Sequence, residues 1–413
     1  MAKILWLGDA AAHTGFARVT HSIGERLVDM GHDVHVLARM HKGDYWETNL
    51  KLYPASMRDK SDYYGRSRII EMLALEPDVV VSLGDPWEQL QLLFENPYDA
   101  QRLLLQYRPL IGYLPIDGVG NPPSWDLLEK CMKRVAMTRW GQQAMPEAPV
   151  VYHGVETETY YPVSSKRPIT LSNGDVVTSK RECKEKFGFS PNGFLVLRID
   201  TNTLRKDYSA SWKALTPVIK RHKDIQVHFH CIKQQTNLGV NMEAMLGRDP
   251  DTKSHYFFPD LVTATTGWPT QDVVGLINAA DVFLSTSRGE GFGLTIAEAA
   301  ACGVPVIAQN VSAIPEIVGP GGVLVEPLTT ITSTTGQDHW LADIPAFTEA
   351  LEHLYLAGGV RRKLGLAARD HVTKFSWDFA AERFHEFVEE LAHGQADPSG
   401  DEVQRLLGSP QGV

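Results

Sequence analysis

Cysteine is scarce in this 413-residue chain: Cys131, Cys183, Cys231 and Cys302 stand apart, with no Cys-x-x-Cys pair. That excludes a disulfide framework or a zinc knuckle as the organising device and points to a reducing, cytoplasmic setting. Long apolar runs are missing too. The opening Met1–Gly8 segment meets Asp9 too soon for a secretory signal, and no span approaches the length of a membrane helix, so stable membrane insertion is not expected. Positive charge is in deficit, with a formal net charge of −10. This disfavours a protein whose main task is holding polyanions, while leaving room for a local basic groove. The dinucleotide fingerprint Gly-x-Gly-x-x-Gly is absent after the first strand. Metal ligation is not indicated: Asp249-Pro-Asp251 reads as a turn, and His228 and His230 alternate with apolar residues along a strand.

What is present describes a globular α/β protein. Hydrophobic residues make up 43% and charged residues 22%, and the length accommodates two domains with separate cores. Lys3–Gly8 reads as a buried strand, followed by a helix from Phe16 to Met30 with Val19, Ile23 and Leu27 on one face and Gly31 as its stop. Strands follow at Asp33–Ala38, Asp78–Leu83, Leu110–Ile116, Arg134–Thr138 and Pro149–Tyr152. Alternation of this kind predicts a doubly wound parallel sheet with its ligands at the carboxyl ends of strands. Residues 1–160 are read as this first domain and 161–193 as a link with a small hairpin around Ser172-Asn-Gly-Asp175. A second domain, 194–375, repeats the pattern through Phe194–Ile199, Gln226–Cys231, His255–Phe258, Asp281–Ser285, Val304–Ala308 and Gly322–Val325. A helix at 376–392, with Phe379, Phe384, Phe387, Val388 and Leu391 on one side, precedes a loose tail at 393–413.

The most informative stretch runs from Ser285 to Ala308. It holds Glu290 and Glu298 with seven residues between them, across the glycine-rich loop Gly291-Phe-Gly293 and a helix starting near Leu294. The amides of Gly291, Phe292, Gly293 and Leu294 would face an anion at that helix N-terminus, and the glycines would let it approach. Two carboxylates repel a diphosphate, so they are assigned to hydroxyls: Glu298 to a ribose and Glu290 to a transferred sugar. The competing reading is that both glutamates complement the helix dipole in its first turn.

On these residues, and on Pro315-Glu-Ile-Val-Gly-Pro-Gly-Gly-Val-Leu-Val-Glu-Pro327, the chain resembles the retaining GT-B glycosyltransferases of the family 4 type, with their Glu-x7-Glu motif. The resemblance implies two Rossmann-like domains facing across a cleft and a last helix crossing back to the first. It implies a metal-independent retaining transferase without cofactor, moving a hexose from a donor such as a UDP- or GDP-hexose. The acceptor hydroxyl is left open among sugars, proteins and modified nucleobases. Arg205 and Lys206 resemble the family's diphosphate clamp, with Arg198 near the position of its upstream arginine; solvated loop charge is the alternative for the pair. Asp117 stands where many relatives carry a histidine that contacts the sugar, and it is counted with Lys206, Glu290 and Arg205 as catalytic, although Pro-x-Asp-Gly is also ordinary turn chemistry. Gly15 and Val262 are placed on the donor side. His13, Phe16 and His153 are acceptor-side candidates, with a linker turn as the other account of His153. Two rival functions share these motifs: a GT-B phosphorylase or epimerase, and a catalytically silent nucleotide-sugar binding protein.

Overall fold

The computed structural model describes residues 1–39, 41, 43, 45–57, 62, 64–94, 109–233, 239–261 and 266–393. Val262 and the tail beyond 393 lie outside the described residues. The chain divides into two compact units: Met1–Ile116 with Gly120–Gly154 and Ser376 onward, and Asp117–Val119 with Val155–Phe375.

The first unit is built on β1 (Lys3–Asp9), β2 (Asp33–Arg39), β3 (Lys51–Pro54), β4 (Val79–Leu83), β5 (Leu110–Leu114) and β6 (Lys133–Ala136). They form one parallel sheet in the order β3-β2-β1-β4-β5-β6, so the winding reverses between β1 and β4. The central strands are buried along nearly their whole length, as expected for a sheet covered on both faces. Helix Gly15–Asp29 starts where Thr14 Oγ1 accepts the Ala17 amide at 3.1 Å. It stops where Gly31, at φ +94°, lets the His32 amide donate back to the Leu27 carbonyl. The C-terminal helix Trp377–His393 belongs to this unit and packs Phe384 against Trp6 and Tyr113. Its buried stripe runs through Trp377, Ala380, Ala381, Phe384, Phe387 and Val388. Phe379, expected on that face, is 54% exposed because it falls on the opposite side of the helical repeat, and Leu391 is half-buried.

Some elements differ from expectation. The strand expected at Pro149–Tyr152 is reduced to an isolated bridge between Val150 and Ala136, since the parallel ladder ends there. Strand β3 was not anticipated: only four residues long and without a fully buried position, it carries a weak pattern. Asp249 precedes a short helix, Pro250–Lys253, instead of a turn, with Pro250 suited to the first helical position.

In the second unit, β7 (Ile169–Thr170) and β8 (Val176–Val177) form the expected hairpin, and Ser172 binds Asp272 of this unit through its amide at 2.8 Å. The main sheet comprises β9 (Phe194–Ile199), β10 (Ile225–His230), β11 (Tyr256–Phe257), β12 (Val282–Ser285), β13 (Val306–Gln309) and β14 (Gly322–Val325). Its order is β11-β10-β9-β12-β13-β14, again parallel, with the reversal between β9 and β12. An antiparallel pair, β15 (Pro327–Thr332) and β16 (Asp338–Ala342), follows directly. No sequence signal foretold it, because β15 is exposed along most of its length and shows no buried alternation.

Candidate active site

The sheet order explains why distant loops meet in the second unit. β9 and β12 are hydrogen-bonded neighbours, with Phe283 opposite Leu197, and the winding reverses between them. Helices leave such a pair toward opposite faces, which opens a crevice at the carboxyl ends. The loop after β9 carries Asp200, Arg205 and Lys206; the loop after β12 carries Arg288, Gly289 and Glu290.

These loops are tied together. The Arg288 amide donates to the Arg205 carbonyl at 2.8 Å, the Arg288 side chain reaches Asp207 at 2.9 Å, and Thr286 Oγ1 donates to the Asp207 carbonyl. Asp207 sits at φ +48° and caps helix Tyr208–Arg221 by accepting from Ala210.

The charged groups form a chain. Lys206 Nζ lies 2.5 Å from Glu290 Oε1 and 2.8 Å from Asp200 Oδ1. Arg205 donates to the Gly289 carbonyl, approaches Glu290 Oε2 at 3.3 Å, and places Nε 3.2 Å from Asp117 Oδ2. The other Asp117 oxygen faces His339 Nε2 at 3.3 Å. Burial pushes the Glu290 carboxyl up, but Lys206 and Arg205 outweigh it and hold the group down at about 2. Asp117 is held below the usual carboxylate range in the same way: burial raises it, and Arg205 with His339 prevails. The Glu290 amide donates to Ser312 Oγ at 2.8 Å, which pins the loop from a third side.

The glycine loop ends at Gly293, at φ +101° directly before helix Leu294–Ala301, a conformation open to glycine and strained for other residues. Phe292 is buried and turns its ring into the core against Phe375. Gly291 and Leu294 flank it, partly accessible. Glu298 is 4% exposed in the second turn of the helix, and no acidic residue occupies the first turn. The dipole reading of the two glutamates therefore fails, since that interaction fades within one turn.

Arg198 is not a donor-facing residue. It is 0% exposed, and its guanidinium is spent inside the unit on Ser211 Oγ and Thr286 Oγ1, each at 2.6 Å, on Asp200 at 3.3 Å and on the Lys206 carbonyl. It lies on a strand whose side chains here point into the core, and it supports the loop from beneath. Asp200, Ser312 and His339 were missed. Asp200 was legible as the first residue past β9, whereas Ser312 and His339 carry no local signal.

The remaining candidates lie in the first unit. Gly15 opens helix Gly15–Asp29 and is exposed; Phe16 is half-buried; His13 is exposed with its ring 5.6 Å from that of Trp46. His153 is buried, stacked on Trp377 and edge-on to Tyr113, and burial holds it neutral with its pKa down at about 3. It is a packing residue, not an accessible acceptor-side group. His228 and His230 are likewise kept neutral by burial, at about 3 and about 4. One group of three potential metal ligands occurs among the described residues: His32, His385 and Glu389. His32 accepts the Ala2 amide on Nδ1, which leaves the proton on Nε2, 2.8 Å from His385 Nδ1. A ring committed in this way has no lone pair for a metal.

The fold is that of the GT-B glycosyltransferases. A glycosyltransferase structure from Rickettsia africae superposes with a TM-score of 0.67 at 18% identity, covering 95% of this chain and 99% of that one. Anabaena HepE, solved in complex with UDP and glucose, superposes with a TM-score of 0.67 at 15% identity, covering 95% of this chain and 100% of that one. Residues 213–355 match the family described as Glycosyl transferases group 1. Among curated proteins, a D-inositol 3-phosphate glycosyltransferase from Corynebacterium jeikeium is 35% identical over 138 residues, which is 32% of this chain and 30% of that protein. The matched stretch spans less than half the length of such relatives. Among the described residues, no helix is long and apolar enough to cross a membrane.

Proposed function

We propose that the protein is a retaining glycosyltransferase that moves a hexose from a nucleoside diphosphate sugar to an acceptor hydroxyl, without a metal ion. The observation that carries this reading is the convergence of Lys206, Arg205 and Glu290 ahead of the N-terminus of helix Leu294–Ala301. Lys206 and Arg205 supply the fixed positive charge that a departing diphosphate requires. The first amides of the helix receive a phosphate, Glu298 holds the ribose, and Glu290 and Asp117 hold hydroxyls of the sugar or orient the acceptor. The acceptor oxygen bonds to the anomeric carbon on the face that the phosphate leaves, the carbon–phosphate oxygen bond breaks, and the acceptor proton passes to the departing phosphate oxygen. No enzyme carboxylate acts as nucleophile.

The relatives' names support the class of reaction: inositol phosphate glycosyltransferases, and mannosyltransferases such as O-antigen chain mannosyltransferase B of Escherichia coli. The HepE complexes with UDP and with UDP-glucose favour a uridine donor as the first to try. A thermal-shift screen against UDP- and GDP-hexoses tests donor binding, because a ligand bound only by the folded form raises its melting temperature. Slow hydrolysis of the stabilising donor that persists in EDTA is the expected second result. Orthophosphate-dependent release of sugar 1-phosphate would instead establish a phosphorylase, and donor binding without any turnover a silent binding protein.

A further inference from the structure

The unanticipated pair β15–β16 builds part of the charged cluster. Asp338 on β16 exchanges two main-chain hydrogen bonds with Val119, at 3.0 and 2.8 Å, and the Trp340 amide donates to the Arg288 carbonyl at 3.1 Å. The contact is close: a Cβ on Gly118 would lie 2.9 Å from the Asp338 carbonyl oxygen and from His339 Cδ2. Between these anchors, β16 delivers His339 to Asp117, whose second oxygen is held by Arg205.

The chain of ion pairs is balanced before any ligand arrives. Arg198, Arg205 and Lys206 face Asp200, Glu290 and Asp117, and the adjoining Arg288–Asp207 pair is balanced as well. A diphosphate therefore enters a partly dehydrated cluster in which, among the described residues, each of these cationic side chains is already paired with a carboxylate. Arg205 and Lys206 must share or surrender their carboxylates to meet it, and the carboxylates then lack compensation. Imidazole is the side chain that changes charge near neutrality, and His339 is the one imidazole that contacts this chain among the described residues. The charged group facing it is Asp117, on which Arg205 and Glu290 also act. Asp338, its neighbour on β16, is turned to Thr332 Oγ1 at 2.6 Å.

We propose that His339 takes up a proton when the donor binds, taking over Asp117 as Arg205 turns to the diphosphate and adding one positive charge to the site. The inference rests on the nucleotide-sugar reading above. Because the bound state holds more protons than the free state, affinity strengthens as pH falls and weakens as pH rises.

Isothermal titration of the full chain with UDP-glucose and with GDP-mannose, in buffers of different ionisation enthalpy near pH 7.5, measures the protons taken up. Both probes are diphosphate diesters and do not themselves titrate there. Net uptake of up to about one proton per site is expected, with Kd rising by up to about tenfold per pH unit above neutrality. His339→Gln, which keeps a donor for Asp117, should still bind, take up no proton, and lose the pH dependence. Absence of uptake by the wild type overturns the inference, as does equal uptake by His339→Gln, which would move the proton to a carboxylate. A wild type that binds neither probe overturns the nucleotide-sugar reading itself, and the inference with it.

Discussion

The ammonium of Lys206 lies 2.5 Å from the carboxylate of Glu290, 84 residues further along the chain, because β9 and β12 are adjacent in the second sheet. If this pair stands at the reacting centre, Lys206→Ala and Glu290→Ala each lower turnover by about two to three orders of magnitude, or about 3–4 kcal/mol. Steady-state kinetics with the donor found by thermal shift checks this; near-normal turnover in either variant contradicts the assignment.

Glu290 also sets an acid limit. Its folded pKa, about 2, is depressed from an ordinary 4.5, so its contribution to stability is present above the ordinary value and is lost as pH falls from 4.5 toward about 2. Thermal melts of wild type and Glu290→Gln should differ by a constant amount near neutrality and converge through that acid window. A difference that does not change with pH would show that the ion pairs contribute nothing.

Gly289 has no room for a side chain: a Cβ there would sit 1.9 Å from the Asp117 carbonyl oxygen. Gly289→Ala must push apart the loop after β12 and residues 117–119. The expected outcome is donor affinity weakened by at least about tenfold, as for loss of about 1.4 kcal/mol, measured by titration calorimetry. Unchanged affinity would mean that the two loops need not touch.

Arg198→Ala tests a supporting role against a ligand-contacting one. Removing a fully buried cation leaves its polar partners unsatisfied and costs about 3–5 kcal/mol of stability. Chemical denaturation reads that loss directly. A variant of normal stability with impaired donor binding would return Arg198 to the donor side.

Three thiols are closed to reagents. Burial pushes Cys183 and Cys231 up to about 12 and Cys302 higher still, so the thiolate is rare at neutral pH. Labelling of the native protein by a thiol-specific reagent should modify Cys131 first and the others only on unfolding. Rapid labelling of Cys302 would contradict the packing around helix Leu294–Ala301.

Much of this was readable beforehand because apolar runs and helix signals are local. The strands from Lys3, Asp33, Phe194 and Asp281, the stop at Gly31 and the loop at Gly291–Gly293 all announce themselves within a few residues. Residues whose meaning depends on a partner did not: Arg198 was placed on the donor side by its nearness to the position of the family's upstream arginine, whereas its four acceptors come from three separate segments. His153 looked accessible for the same reason, since the Trp377 ring that covers it lies far along the chain.

By itself the sequence determined two wound α/β units and a Glu-x7-Glu loop, through hydrophobic periodicity and glycine's unique backbone freedom, both short-range properties of the chain. The tertiary structure alone decided that Lys206, Glu290, Asp117 and His339 share one electrostatic network, because strand order and the docking of β15–β16 are settled by packing among segments remote in sequence.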